Sequence, residues 1–136
     1  MANTLKLEIV TPEARIYSAD AEMVTLPAIE GEMGVYPQHV PLMTQIVAGE
    51  ISIRSASTDH YFAVGDGFVE ITGDHVTILT DMAMNVDDID EAAAEAARQR
   101  AAARLNEKLN DEEAALVTAA LAHSLAQLHV KRRHKR

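Results

Sequence analysis

The sequence predicts an α+β protein: an N-terminal antiparallel β-sandwich or flattened barrel over residues 1–86, then a two-helix antiparallel hairpin over 87–136. Three observations carry this. Short runs of alternating apolar and polar residues recur through the first 86 positions, and all six glycines fall in that half. From Asp87 onward Gly and Pro vanish and alanine dominates. Period-two alternation marks strands with one buried face, whereas an Ala-rich run free of Gly and Pro favours helix.

Taken in order, Leu5, Leu7 and Ile9 alternate with Lys6 and Glu8, and the run closes at Thr11-Pro12. Similar alternation recurs in AEMVTL, EISIR, HYFAV, FVEIT and HVTILT. GDG at 65–67 and TGDH at 72–75 read as tight connections between neighbouring antiparallel strands. Gaps this short hold no crossover helix, so parallel pairing is not expected. In the second half acids come first and bases later, as the helix dipole favours. Asp87 or Asp88 is the expected first cap and Asn110-Asp111 the second, after which Val117, Leu121, Leu125 and Leu128 keep helical spacing to Val130. A connection of about four residues folds the helices back on each other. Ala92, Ala96 and Ala103 give the first helix a nearly flat face. Such a face buries little area, so the hairpin is expected to be weakly held and free to move.

Composition narrows the function. A hydrophobic fraction of 48% suffices for a core, but 4% aromatics without Trp provide no stacking platform for single-stranded nucleic acid. Without cysteine there are no disulfides, thiolate chemistry or Cys-built zinc sites. MANTLKLEIV has no basic segment leading into an apolar one, and no run reaches the length of a membrane span. The expectation is a soluble, cytoplasmic chain. Its net charge of −9 is uneven: residues 1–86 hold twelve acids against three bases, and the rest balance nine against nine. KRRHKR places five of those bases at one end, so an acidic body carries a basic tip suited to an acidic partner.

Phosphate-cradling loops, a dinucleotide fingerprint, a GxSxG elbow and HExxH are all absent from the sequence. The six histidines, at 39, 60, 75, 123, 129 and 134, form no HxH pair. The most distinctive stretch is EGEMGVYPQHVPLMT, residues 30–44, where His39 stands between Pro37 and Pro41. With Glu30 or Glu32, His39 could bind a metal or act in acid–base catalysis, as in a small metal-dependent β-barrel enzyme. The other reading is a surface pre-ordered for a partner, since proline fixes φ and lowers the entropy lost on docking.

Together EGEMGVYPQHVPLMT, GDGFVEI, TILTDMA, DIDEAAAEAA and ALAHSLAQLHV resemble the family of F-type ATP synthase epsilon subunits, bacterial type, over all but the last six residues. The resemblance implies a non-catalytic central-stalk subunit without a cofactor. Its sandwich would meet the gamma subunit and the polar loops of the c-ring, through a surface that includes Glu30, Glu32, Tyr36 and His39. Its helices would extend to the alpha and beta subunits and block ATP hydrolysis. It would contact the membrane only through the complex, on the cytoplasmic face of a bacterial plasma membrane, and bind no nucleic acid. On that reading the basic tip, Lys131, Arg132, Arg133, Lys135 and Arg136, helps hold the extended, inhibitory state, with further charge from Arg98, Arg100, Arg104 and Lys108. Some family members bind ATP at the start of the first helix. Ile89 and Asp90 match that motif, but Ala93 stands where its arginine belongs and Met84 where an acid belongs. Weak or no ATP binding is therefore expected.

Overall fold

Apolar residues at every second position give most of the strands one face to bury, and ten strands join in one sheet. The computed structural model describes residues 3–135. Its strands are β1 (Leu5–Val10), β2 (Arg15–Ala21), β3 (Met23–Ala28), β4 (Gly31–Val35), β5 (Leu42–Ile46), β6 (Gly49–Ser55), β7 (Thr58–Val64), β8 (Gly67–Thr72), β9 (His75–Thr80) and β10 (Ala83–Asn85). Hydrogen bonding runs β10-β7-β6-β3-β5-β8-β9-β1-β2, with β4 paired to β3 off that path. The chain of pairings folds over into a nearly closed sandwich. Leu5, Leu7, Ile9, Leu26, Ile46, Ile51, Ile53, Ile71 and Ile78 are wholly or almost wholly buried between the layers. Tyr17 of β2 meets Phe62 of β7 edge-on, ring centroids 5.2 Å apart, which ties one end of the path back to the other.

The fold class and the helical tail are as the sequence predicts, and several local expectations are not. β1 and β9 pair in parallel, Leu7 beside Val76 and Ile9 beside Ile78. No crossover helix is needed, because the seven intervening strands themselves form the connection. TGDH does turn between the antiparallel β8 and β9. GDG, however, is a corner between β7 and β8, which are not paired in the sheet. The corner is closed from inside. The buried Thr80 hydroxyl lies 3.0 Å from the Gly65 carbonyl and 3.1 Å from those of Asp66 and Met82, and Gly65 N–H donates to Met82 O. Glycine is needed at Gly67 because a Cβ there would collide with the Leu79 carbonyl. Within residues 30–44, β4 and β5 occupy both ends, and the Pro-framed segment 36–41 connects them.

In the tail, Asn85 caps a 3₁₀ turn at Val86–Asp88, and the N-cap of α1 (Glu91–Arg104) is Asp90 rather than Asp87 or Asp88. Asp90 Oδ1 accepts the Ala93 N–H at 3.1 Å, satisfying one of the four free donors at a helix start. Asn110 caps α2 (Asp111–Arg133) as expected, accepting from Glu113 N–H at 2.8 Å. The connection spans six residues, 105–110. Ala92, Ala96 and Ala103 are exposed; Ala94 and Ala101 are the buried alanines of α1. On α2 the buried positions are Val117, Ser124, Ala126, Leu128 and Val130, while Leu125 is about half exposed. Alanine lines so much of both helices that apolar spacing alone did not identify the packed face.

Candidate functional site

Two regions carry the features that a binding function would use: the junction between α2 and the sandwich, and the surface around residues 30–44. At the junction α2 lies against β6, β7 and the 3₁₀ turn, and α1 packs on α2. Ala126 and Val130 bury against Ala63, Val86 and Ile89, with Ala48, Tyr61, Met82 and Met84 around them. Ile89 and Asp90, the two matches to the nucleotide motif, thus have structural work here: Ile89 is 4% exposed in this cluster and Asp90 caps α1. Midway along α2, His123 Nε2 comes within 3.0 Å of Asp81 Oδ1 without the alignment of a hydrogen bond. Both crowd Gly65, where a Cβ would strike them.

The basic end of the chain is folded in, because α2 runs to Arg133 and carries its charges onto acids of the same chain. Arg132 pairs with Glu91 at 2.8 Å and Glu95 at 3.4 Å, and Lys135 with Glu91 at 3.0 Å, all across the hairpin. These cations hold the Glu91 carboxyl below its usual range, Arg132 most strongly. Glu95 is lowered further, to about 2, chiefly by Arg98 one turn along its own helix. Lys131 Nζ donates to the Val86 carbonyl at 3.2 Å. Arg133 and His134 reach the sandwich instead, where both approach Glu50 of β6. Arg136 lies outside the described residues.

The second region does not converge. Glu30 and Glu32 are exposed at the tip of the β3–β4 hairpin, beside a shallow hollow that includes Leu42 and Thr44. Tyr36, 61% exposed, instead borders the open hollow of about 720 Å³ that contains Glu50, Tyr61 and His134. His39 Nδ1 lies 2.7 Å from the Val40 carbonyl. Gln38, held at φ 65, donates its N–H to Asp74 Oδ1 at 2.8 Å, so the Pro-framed segment is tied to the β8–β9 turn. Among the described residues no group of three or more His, Asp or Glu is placed to hold a metal ion. The metal-enzyme reading of His39 with Glu30 and Glu32 therefore has no assembled centre to work with.

One surface escaped the sequence reading. Met43, Phe68 and Leu79 lie on the outward faces of β5, β8 and β9 and are 64%, 54% and 50% exposed. Phe68 is directly opposite Leu79 in the β8–β9 ladder and Gln45 in the β5–β8 ladder. The signal was present in FVEIT, where Phe68 takes the phase that Glu70 and Thr72 assign to solvent. Such an apolar stripe on a sheet's outer face is the usual mark of a partner surface. No helix among the described residues is long and apolar enough to cross a membrane.

Comparison with known proteins agrees with the two-part architecture. Residues 4–86 match the family model described as ATP synthase, Delta/Epsilon chain, beta-sandwich domain, and residues 87–132 match the long alpha-helix domain of the same chain. An ATP synthase epsilon chain from Laribacter hongkongensis is 42% identical over 93% of this chain and 91% of its own length. One from Bacillus subtilis is 43% identical over 79% of this chain and 82% of its own. A chain in the cryo-EM structure of the Euglena gracilis mitochondrial ATP synthase, OSCP/F1/c-ring, shares the fold with a TM-score of 0.75 at 20% identity, over 93% of this chain and 79% of that one. With both domain models matched in order and close relatives along most of its length, the chain belongs to the ATP synthase delta/epsilon family, as an epsilon chain, a non-catalytic subunit of that complex.

Proposed function

We propose that this chain is a central-stalk rotor subunit of a proton-translocating F-type ATP synthase, in which the sandwich couples the gamma subunit to the c-ring and the helical tail restrains ATP hydrolysis. The observation that carries the second role is the contrast between interfaces. The sandwich core cluster is complete within residues 5–78, whereas α2 adds to it only a thin alanine-lined contact and a set of ion pairs. A helix held this way can leave without unfolding what it leaves. Extended from the body, it would reach the alpha and beta subunits and obstruct rotation in the hydrolytic direction.

The coupling role is supported by two features of the body. The stripe of Met43, Phe68 and Leu79 fits an apolar protein partner, which we assign to gamma. The segment carrying His39 is braced by Pro37, Pro41 and the Gln38–Asp74 hydrogen bond, and we assign it to the polar loops of the c-ring, with Glu30 and Glu32 at the β3–β4 tip and Tyr36 on its flank. Bound in this way, the chain would lie at the cytoplasmic face of a bacterial plasma membrane and touch the bilayer only through the complex. Ala93 leaves the nucleotide motif without its arginine, so the switch of the tail is assigned to the state of the complex rather than to ATP bound by this chain.

The test is ATP hydrolysis by the cognate catalytic head, stripped of this subunit and reconstituted with the full chain or with a chain ending at Val86. Slowing by the full chain, and binding without slowing by the shorter one, is the expected result. Binding of both with no inhibition by either would remove the restraining role, and failure of both to bind would remove the reading altogether.

A further inference from the structure

The last turn of α2 meets a feature of the sandwich that fits it in shape and charge. Glu50 stands at the start of β6 with its side chain only 10% exposed, and Ser52 Oγ donates to its Oε2 at 3.1 Å. His134 Nε2 faces the other oxygen, Oε1, at 2.6 Å, and Arg133 Nη1 approaches Oε2 at 3.5 Å. The His134 ring lies flat on Tyr61 of β7, centroids 3.5 Å apart and planes 11° from parallel. One turn earlier Val130 is fully buried, which fixes the rotation of α2 so that its final residues land in the hollow.

We propose that Glu50 and Tyr61 form a docking site on the sandwich for this chain's own C-terminal residues Arg133 and His134, and that this latch holds the helical hairpin down. Three points favour this occupant. A carboxylate so nearly covered is costly unless whatever covers it brings a donor or positive charge, and Arg133 and His134 bring both. Elsewhere the α2 contact buries mainly Ala126 and Val130, so little apolar area competes with the latch in setting how often the helix leaves. The body is acidic, twelve acids against three bases, and draws a basic terminus toward it.

The latch opposes the sequence-based expectation that the basic tip stabilises the extended state: the charges that reach Glu50 are spent on the folded-down one. The chain has no cysteine, so Thr72→Cys and Leu116→Cys, both at exposed positions, can carry a donor and an acceptor dye that report the distance between sandwich and hairpin. Ending the chain at Arg132, or introducing Glu50→Gln, should each raise the undocked fraction about threefold to tenfold, the range for losing one typical net hydrogen-bonded contact. Combining them should add little, because they remove the same contact. High salt should raise the undocked fraction of the parent chain and do much less in either variant. An undocked fraction unchanged by the truncation, or effects of truncation and Glu50→Gln that simply multiply, would overturn the latch. These readings use the isolated chain and stand apart from the braking role. A second arm rests on that role: if the tail brakes hydrolysis, the chain ending at Arg132 should brake harder than the full chain. Weaker braking with docking lost would show that the removed residues also hold the braking state, as the sequence-based expectation has it, and would leave the latch standing.

Discussion

The sandwich and the helical hairpin are built from opposite materials. Between the sheets lie Leu, Ile and Val side chains with almost no exposure, and the polar groups there are satisfied by the ladders or, at Thr80, by a ring of carbonyls. Between α2 and its neighbours lie alanines, a serine whose hydroxyl bonds back to its own helix, and charged side chains that remain partly wet. Apolar burial is indifferent to salt and scales with area; exposed ion pairs are screened by salt and each contribute little. One part of the molecule is therefore built to persist and the other to be released, and perturbations should sort accordingly.

The largest effect is expected from Ile53→Ala. Ile53 is fully buried between the layers and pairs with Val24 and His60 on the strands to either side. Its loss should cost about 2–5 kcal/mol by denaturant unfolding, transfer term and cavity together. The sandwich and everything docked on it should melt earlier. A cost under about 1 kcal/mol would mean that the interior collapses around the gap and that the two regions are less different than their packing indicates.

Next comes Gly67→Ala. The added Cβ would press on the Leu79 carbonyl and the Thr80 backbone, neither of which can rotate away. We expect a loss of about 1–3 kcal/mol, typical of forced overpacking. Because Thr80 closes the corner under Asp81, which faces His123 of α2, this variant should also loosen the hairpin. Hydrogen exchange would report both effects; slow exchange in β8 and β9 left unaltered would contradict the assignment.

The fold was legible wherever one principle acted alone. Period-two alternation located β1, β3 and β6 to β9, and the composition change at residue 87 marked the helices. β2 was missed because RIYSADA lies at the end of the sheet path and buries only Ala21 fully, so its alternation is faint. The parallel β1–β9 pairing is invisible locally, since partners such as Leu7 and Val76 are brought together only by the closure of the whole sandwich. On the functional side, the framing prolines around His39 were legible as a stiff segment. Where that segment is anchored, through Gln38 to Asp74, depends on a turn distant in sequence. The basic tip was legible as charge, but its partner Glu50 lies 84 residues away from His134, and no spacing rule reaches that far. Glu30, Glu32, Tyr36 and His39, adjacent in sequence, are divided among different surfaces, because β4 separates the hairpin tip from Tyr36 and the left-handed Gln38 turns the chain again.

On the hairpin, Asp90→Ala should act locally. It removes the oxygen that caps α1 and should cost about 1 kcal/mol of helix stability. Faster amide exchange in the first turn of α1, with the unfolding midpoint of the sandwich unchanged, is the expected pattern. Loss of sandwich stability would show that the two regions unfold as one unit. Asp90→Asn, which keeps a capping oxygen, should restore protection; failure to do so would point to charge rather than the cap.

The smallest effect should come from acid, and it should be confined to the hairpin. Arg132 and Lys135 lower Glu91 in the folded chain, and Glu95 is held at about 2, chiefly by Arg98. A carboxylate depressed on folding contributes stability that is present above its unfolded value, near 4.5, and is lost as pH falls through the folded one. The pairing of Glu91 across the hairpin should thus weaken as pH falls below about 4.5, and that of Glu95 between about pH 4.5 and about pH 2. Glu95 draws most of its shift from its own helix, so its protonation weakens α1. That of Glu91 weakens the hold of α1 on α2. Arg132 is 54% exposed, so water and salt screen the pair, and the acid-induced change should be slight and clearest at low ionic strength. Glu91→Gln should flatten part of the acid response of the α1–α2 distance, followed by paired dyes on the two helices, while Glu112→Gln, on an exposed residue of the first turn of α2, should not. An acid response identical in the parent and in Glu91→Gln would show that alanine packing alone holds the helices together and that their charges only decorate the contact.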